Sequence, residues 1–446
     1  MSRTQSNATG AIWSLASGLP DPILGWMVRT SEMQPKRAMR LDGLSPVEVA
    51  ARLRHLPGLV FFDTVGHVPV GAGQPVSLIA ARPLRVLEGS IHAERDRGGL
   101  RDAVSRGAVA PGDLGFPAGG LCGWIDYEGG FVFGEYPEML VYRHADQTWV
   151  EVGGLSECLR EPADQTASVG DFEGRTSREG FVRAVERAKG WIASGDIYQV
   201  NLSQAFEAEI SGGSLFGLYE ALRDHSPAPM AAWLSLAGRE VLSSSPETFL
   251  RISGRGIETR PIKGTRPRFA DADEDTRSAY ELQTSAKEIA ELVMITDLLR
   301  NDIGQVCEFG SVEVTDLLRL ESLAQVHHLV STVKGTLREG TDALDAVAAC
   351  FPGGSITGAP KKRAMDIIAE LEAAPRGLYC GSIGCFGFNG ESVFSIAIRT
   401  LVRQEGRLTY HVGAGIVADS DPQKEYEETL HKAAGIRRAL DSWRMT

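Results

Sequence analysis

Within about thirty residues the hydrophobic period of this chain changes from that of a helix to that of a strand. Thr176 and Glu179 have capping-box spacing, Phe181, Val185, Ala188 and Ile192 follow one helical face, and Gly195 supplies a stop. The next segment, IYQVNLSQAF, alternates instead: Tyr198, Val200 and Leu202 point one way, Gln199, Asn201 and Ser203 the other. A strand with one apolar face and one face of amides and hydroxyls would wall a polar cavity. The pattern alone favours a half-exposed strand.

The rest of the chain is organised around this unit. SPVEVAARLRHL from Ser45 reads as a capped helix, and GLVFFDT from Gly58 and PVSLIAARPL from Pro75 read as strands. Residues 1–40 form a mixed N-terminal extension, residues 41–160 a strand-rich half, and residues 175–446 a second half. The polar stretch Arg160 to Ser177 is the candidate joint between the halves. The length of 446 residues suits two or three domains or one large α/β unit, and no solenoid-period repeat is present.

Bulk chemistry excludes several classes. With 43% hydrophobic and 23% charged residues the chain has material for a sizeable core. A net charge of -12 argues against a nucleic-acid backbone as main partner. Six cysteines without a CxxC pair read as reduced thiols. The N-terminus lacks a leader pattern, and no run approaches the ~18 apolar residues of a membrane span. These features lead us to expect a cytoplasmic protein with no membrane partner.

Two predicted helices carry paired carboxylates. In SAKEIAELVMITDLLRNDIG, Ile289, Leu292, Ile295 and Leu299 form an apolar stripe, and Glu288 and Glu291 are neighbours on the surface. In PQKEYEETLHKAAGIRRAL, Glu425 and Glu428 repeat the spacing and Lys432 follows four later. Facing each other, the four carboxylates would suit Mg2+, a hard cation with oxygen ligands. Spacing alone favours two solvated faces.

Further signals are local. FPGGSITGAPKKRAMDIIAELE has phosphate-loop glycine spacing at Gly353 and Gly358, but Ala359 and Pro360 stand where the lysine and hydroxyl belong. What survives is a turn feeding a helix from Pro360, with Thr357 before it: either a simple tight turn or an anion site. Arg399 interrupts an apolar run that reads as a buried strand, where its guanidinium needs a carboxylate from protein or ligand. His327 and His328 are adjacent, with no nucleophile triad nearby. RPIKGTRPR sets Lys263 in a local basic cluster of an otherwise acidic chain.

Taken in order, SPETFL at Ser245, PIKGTRPR at Pro261, KEIAELVMITDLLRND at Lys287, FPGGSITGAPK at Phe351, RGLYCGSIG at Arg376 and GAGIVADSDPQKEYEET at Gly413 resemble the chorismate-utilising enzymes. The resemblance is close over about residues 175–440 and looser over 45–150. It implies an α/β (α+β) sandwich of antiparallel sheets flanked by helices, with the active site between its halves. It also implies that Glu288, Glu291, Glu425 and Glu428 hold Mg2+. Thr357, Tyr379, Arg399, Lys432 and the backbone around Gly413 and Gly415 would hold the substrate carboxylates.

By the same resemblance Glu247 is the general acid that protonates the departing 4-hydroxyl. Its pKa should then rise above the ordinary value of about 4.3. Gln199 stands where water-using members carry lysine, so an amine nucleophile is expected. The PIKGT form resembles the aminodeoxychorismate synthase component I branch, in which the lysine matching Lys263 attacks C2 of chorismate. That lysine must be neutral, which from a free pKa of about 10.4 costs about 4 kcal/mol at pH 7.5. His328 matches a family histidine at the enolpyruvyl end of the cleft.

These likenesses imply 4-amino-4-deoxychorismate as product, serving 4-aminobenzoate and folate synthesis. The ammonia would come from a separate glutamine amidotransferase subunit, because GLCGW around Cys122 lacks the glycine spacing and downstream His and Glu of an amidotransferase. The alternatives are anthranilate synthase component I, which shares the metal and carboxylate motifs, and a catalytically silent chorismate-binding subunit. FFDT at Phe61 and SLIAARP at Ser77 lie where relatives bind tryptophan, with Thr64 in place of a common serine, so tryptophan binding stays open.

Overall fold

The computed structural model describes residues 35–66, 75–109, 114–163, 167–323 and 326–445. The expected N-terminal extension falls mostly outside the described residues, but the strand Lys36–Arg37 already pairs with Thr148–Val152. The expected capped helix is present as Pro46–Leu53, with Ser45 and Glu48 closing a full capping box. The helix Arg178–Ala193 is capped by Ser177, not Thr176: the Ser177 hydroxyl accepts from Gly180 N.

Two antiparallel sheets stack face to face, with helices on both outer surfaces. The first runs Lys36–Arg37, Thr148–Val152, Met139–Arg143, Val76–Ala80, Val60–Asp63, Met230–Leu236, Arg239–Ser245, Thr400–Gln404, Arg407–Ile416, Gln199–Gly212 and Glu173–Gly174. The second runs Ile262–Pro267, Val326–Thr336, Gly256–Arg260, Thr248–Ser253, Glu391–Ile396, Ser382–Gly387, Gly120–Ile125, Gly130–Tyr136 and Val86–Ser90. Each sheet therefore mixes strands from both ends of the chain. The α/β sandwich of antiparallel sheets flanked by helices is the fold observed.

The core follows from the period-2 patterning of these strands. Val60, Leu78, Leu234 and Val241 of the first sheet meet Cys122, Trp124, Ile383 and Cys385 of the second, all buried. On the outside of the first sheet, Phe61, Trp233 and Leu401 pack under the helices Pro46–Leu53, Phe216–His225 and Ala434–Arg444. Outside the second, Phe133, Phe394 and Ile252 pack under Glu94–Gly107 and Ala343–Cys350.

The strand Gln199–Gly212 shows its alternation in three dimensions. Val200 and Leu202 pack with Phe181, Val185, Ile367 and Ile368, whereas Gln199 on the other face is 1% exposed. Tyr198 departs from the pattern: it precedes the strand and is 72% exposed. The polar stretch after Arg160 is not a free joint. Ala167–Val169 and Glu173–Gly174 both pair with Gln199–Gly212, which stitches it to the sheet.

Candidate active site

Two neighbouring segments cross from one sheet to the other. The chain leaves the first sheet at Ser245, passes Pro246 and Glu247, and enters the second at Thr248. It leaves the second at Ile396, passes Ala397 to Arg399, and enters the first at Thr400. The crossings are tied together: Ile396 N donates to Glu247 O at 3.0 Å, and Ser244 N donates to Arg399 O at 3.1 Å. Glu247 and Arg399 are thereby set at the seam between the sheets.

Arg399 is thus not inside a buried strand, as its apolar neighbours suggested, but in the link between two strands. Its φ of +51° is left-handed, a conformation costing roughly 1–2 kcal/mol for a residue with a Cβ. Its guanidinium, half-buried, has no hydrogen-bond or ion-pair partner among the described residues, and burial pulls its pKa down. Glu247 is 7% exposed. Burial raises its pKa, opposed by a hydrogen bond from Ser355 and by the charge of Lys263.

Lys263 lies on Ile262–Pro267, where a register shift separates Lys263 from Thr265 opposite Leu329 and His328. Gly264, in the shift, has φ +71°, and a Cβ there would lie 2.6 Å from Leu282 Cδ1 and 3.2 Å from Glu288 Oε2. Only glycine lets the strand approach the helix Ala286–Gly304 so closely. The charge of Lys263 acts on Glu247, Glu291 and Glu428. Beside it the buried His328 ring has Nδ1 3.2 Å from Gly264 O and 3.1 Å from Thr265 Oγ1. Burial lowers its pKa to about 4, so the ring is neutral at pH 7. His327 instead binds Ser322 and Asp275, away from Lys263.

The paired carboxylates are held by two well-capped helices. Ser285 accepts from Glu288 N at the start of Ala286–Gly304, and Asp421 accepts from Gln423 N and Lys424 N at the start of Pro422–Lys432. Glu291 is pushed up by burial and by the charges of Glu288 and Glu428, against the pull of Lys263 and Lys287. Glu425 is raised by burial and by Glu428; Ser420 Oγ donates to its Oε1 at 2.7 Å, but its Oε2 is buried with no partner. Glu428 resists burial and is held below the usual range by Lys432, 2.8 Å away.

Glu291 feels the charges of Glu288 and Glu428, Glu425 feels that of Glu428, and all their donor atoms are oxygens. Glu425 Oε2 has no hydrogen-bond partner among the described residues. This donor set fits a hard divalent cation that keeps waters of its own. Among the described residues no three His, Cys, Asp or Glu side chains converge tightly enough to cage an ion unaided.

The opposite wall belongs to Gln199–Gly212 and Arg407–Ile416. A Cβ on Gly413 would lie 2.7 Å from Tyr379 Oη and 3.0 Å from Asn201 Oδ1; one on Gly415 would lie 2.7 Å from Gln199 Nε2. The bare backbone makes room for these polar groups. Gln199 Oε1 and Asn201 Oδ1 are buried without hydrogen-bond partners among the described residues. Lys432 Nζ donates to Gly413 O at 3.0 Å, joining this wall to the carboxylates. Tyr379 stacks on His411 with ring centroids 5.2 Å apart.

Thr357 is fully buried, and its hydroxyl donates to the carbonyls of Gly353 and Gly354. It closes its own turn. The helix beyond it runs Lys361–Leu371, with Pro360 as its cap residue, and Lys361 Nζ donates to Asp302 at 2.7 Å.

Sequence reasoning missed Ser355, which donates to Glu247, and Lys287, whose charge reaches Glu291, Glu425 and Glu428. Both lie inside motifs that were recognised, so position within a motif was their only signal. A separate cavity of about 120 Å³ between the sheets is lined by Phe62, Thr64, Met230, Arg251, Arg260 and Glu321. Its lining includes residues of the FFDT and SLIAARP segments, and Arg260 Nη1 is buried there without a partner among the described residues. No described helix is long and apolar enough to cross a membrane.

Several known proteins are similar to this chain. Anthranilate synthase component 1 1 of Haloarcula marismortui is 48% identical over 270 residues, 60% of this chain and 55% of that protein. Aminodeoxychorismate synthase component 1 of Bacillus subtilis is 45% identical over 282 residues, 63% of this chain and 59% of that protein. The chain thus spans somewhat more than half the length of these relatives. The crystal structure of anthranilate synthase component I from Streptococcus pneumoniae superposes with a TM-score of 0.72 at 28% identity, covering 96% of this chain and 100% of that one. The profile of the chorismate binding enzyme family matches residues 120–438, and the chain belongs to that family.

Proposed function

We propose that the chain is aminodeoxychorismate synthase component I, converting chorismate and ammonia to 4-amino-4-deoxychorismate and water. The observation that carries this reading is Lys263, a primary amine whose charge acts on the buried acid Glu247. Glu247, whose pKa is raised by burial, would give its proton to the departing 4-hydroxyl, which leaves as water as Lys263 Nζ bonds to C2. Ammonia then bonds to C4, the C2–N bond breaks, and Lys263 is released. Gln199 and Asn201 offer the incoming N–H donors two unpaired oxygens.

Arg399, with no partner among the described residues, would pair with a substrate carboxylate, and Tyr379 and Lys432 would serve the rest of the anion. Neutral His328 would border the enolpyruvyl group. Glu288, Glu291, Glu425 and Glu428 would hold Mg2+, which would supply a positive charge for the ring carboxylate. A glutamine amidotransferase subunit would supply the ammonia.

The test is to incubate the chain with chorismate, Mg2+ and an ammonium salt, with and without aminodeoxychorismate lyase. 4-Aminobenzoate is expected only with the lyase, and Lys263→Ala should lower its formation at least about a hundredfold while sparing chorismate binding. Anthranilate without the lyase would assign the chain to the other branch represented among its relatives. Unchanged turnover in Lys263→Ala would remove covalent catalysis by this lysine.

A further inference from the structure

We propose that Arg376 is a positioning residue that locks three walls of the cleft to one another through a single buried guanidinium, an inference that rests on the chorismate reading above. Arg376 is 3% exposed. Its Nε and Nη2 donate to Glu372 at 2.9 and 2.8 Å, its Nη1 to Ile356 O at 3.1 Å, and its Nη2 to Asn201 O at 2.6 Å. Each acceptor belongs to a different part of the site. Ile356 lies between Ser355, which serves Glu247, and Thr357; Asn201 is on the strand of Gln199.

The third wall is Tyr379. Its N donates to Arg376 O at 3.2 Å, and the Arg376 guanidinium lies 5.8 Å from its ring centroid. Tyr127 covers the same guanidinium at 4.6 Å, and Glu128 accepts from Arg376 N at 2.9 Å.

The need for such a lock follows from strand pairing. Gln199–Gly212 is paired on one side along most of its length by Arg407–Ile416. On the other side Gln199 and Val200 pair with Gly358–Ala359, and pairing resumes only at Phe206 and Glu207. Across the gap Asn201 O is taken by Arg376, Asn201 N by Thr357 O, and Ser203 N by Glu372 Oε1 at 2.8 Å. The Arg376–Glu372 pair replaces a strand there and carries the strand's position to the Ser355–Thr357 turn. A planar fork with fixed donor directions suits three acceptors in different directions, and an ammonium does not.

The test compares wild type with Arg376→Met, Arg376→Lys and Glu372→Gln by thermal midpoint, chorismate dissociation constant and steady-state kinetics. In Arg376→Met we expect chorismate binding weaker by at least about tenfold and kcat lower by about a hundredfold, since misplacing reacting groups by about 1 Å has that effect. Arg376→Lys should recover part of both, and Glu372→Gln, which keeps an oxygen for Ser203 N, should lie between. The Mg2+ dissociation constant without chorismate should stay within about twofold, because Arg376 contacts neither carboxylate helix. If Arg376→Met does not fold, the Lys and Gln variants carry the same comparison.

A lower midpoint with unchanged chorismate binding and kcat would make Arg376 purely structural and overturn the proposal. A wild-type chain that binds no chorismate would overturn the functional reading and this inference together, which distinguishes the two failures.

Discussion

Burial, helped by the charges of Arg399 and His327, opposes protonation of His328 and outweighs the hydrogen bond to Gly264 O that favours it. Its pKa falls from 6.5 to about 4. Between those values the unfolded chain binds the proton and the folded one does not, so this residue makes stability rise with pH and fall on acidification. The full effect is about 3 kcal/mol below the folded pKa. Glu247 has the opposite sign: its raised pKa favours the fold at low pH, and that contribution is lost as pH rises. Comparison with a variant isolates the histidine. Urea unfolding of His328→Gln between pH 4.5 and 7 should show a shallower loss on acidification than wild type; parallel slopes would refute a buried neutral ring. At this scale the sequence revealed which residues bear charge but not which acceptors they meet. Besides Glu372, Arg376 meets two backbone carbonyls 20 and 175 residues away, and nothing in the side-chain pattern marks those two.

The helix Ala286–Gly304 was legible from its apolar period, and the i,i+3 placement of the carboxylates on it and on Pro422–Lys432 from their spacing. That they act on one another was not, because spacing within a helix says nothing about its neighbour. Among the described residues Lys263, Lys287, Lys432 and Arg266 are the counter-charges of these glutamates, and Glu425 Oε2 is buried without a partner. An unpaired buried charge costs stability, so Glu425→Gln should leave the metal-free thermal midpoint unchanged or raise it. Wild type should gain with added Mg2+, by about 2.7 kcal/mol at a hundred times the dissociation constant, and the variant's affinity should drop at least about tenfold. Differential scanning calorimetry against Mg2+ concentration reads both effects. A wild type indifferent to Mg2+, or a variant with an unaltered response, would remove Glu425 from the metal site.

Across the whole molecule, local periodicity identified strands, but their order in the sheets depends on partners far apart in sequence. Gly120–Ile125 pairs with Ser382–Gly387, Val60–Asp63 with Met230–Leu236, and the family match begins at residue 120, the first residue of an interior strand. The composition shift after Arg160 therefore marks no physical boundary. This has a consequence for a chain divided between residues 163 and 167. The C-terminal piece would keep Lys263 and all four paired glutamates but lose three consecutive strands from the second sheet and five from the first. Ser382–Gly387 and Met230–Leu236 would become sheet edges, and the buried Ile383, Cys385, Phe386 and Leu234 would lose their cover. Neither piece alone should show a cooperative thermal transition or protected amides in hydrogen exchange, whereas the two expressed together should recover both. A C-terminal piece that unfolds cooperatively by itself would show that the catalytic half is an independent domain and that the interleaved sheets are not the unit of stability.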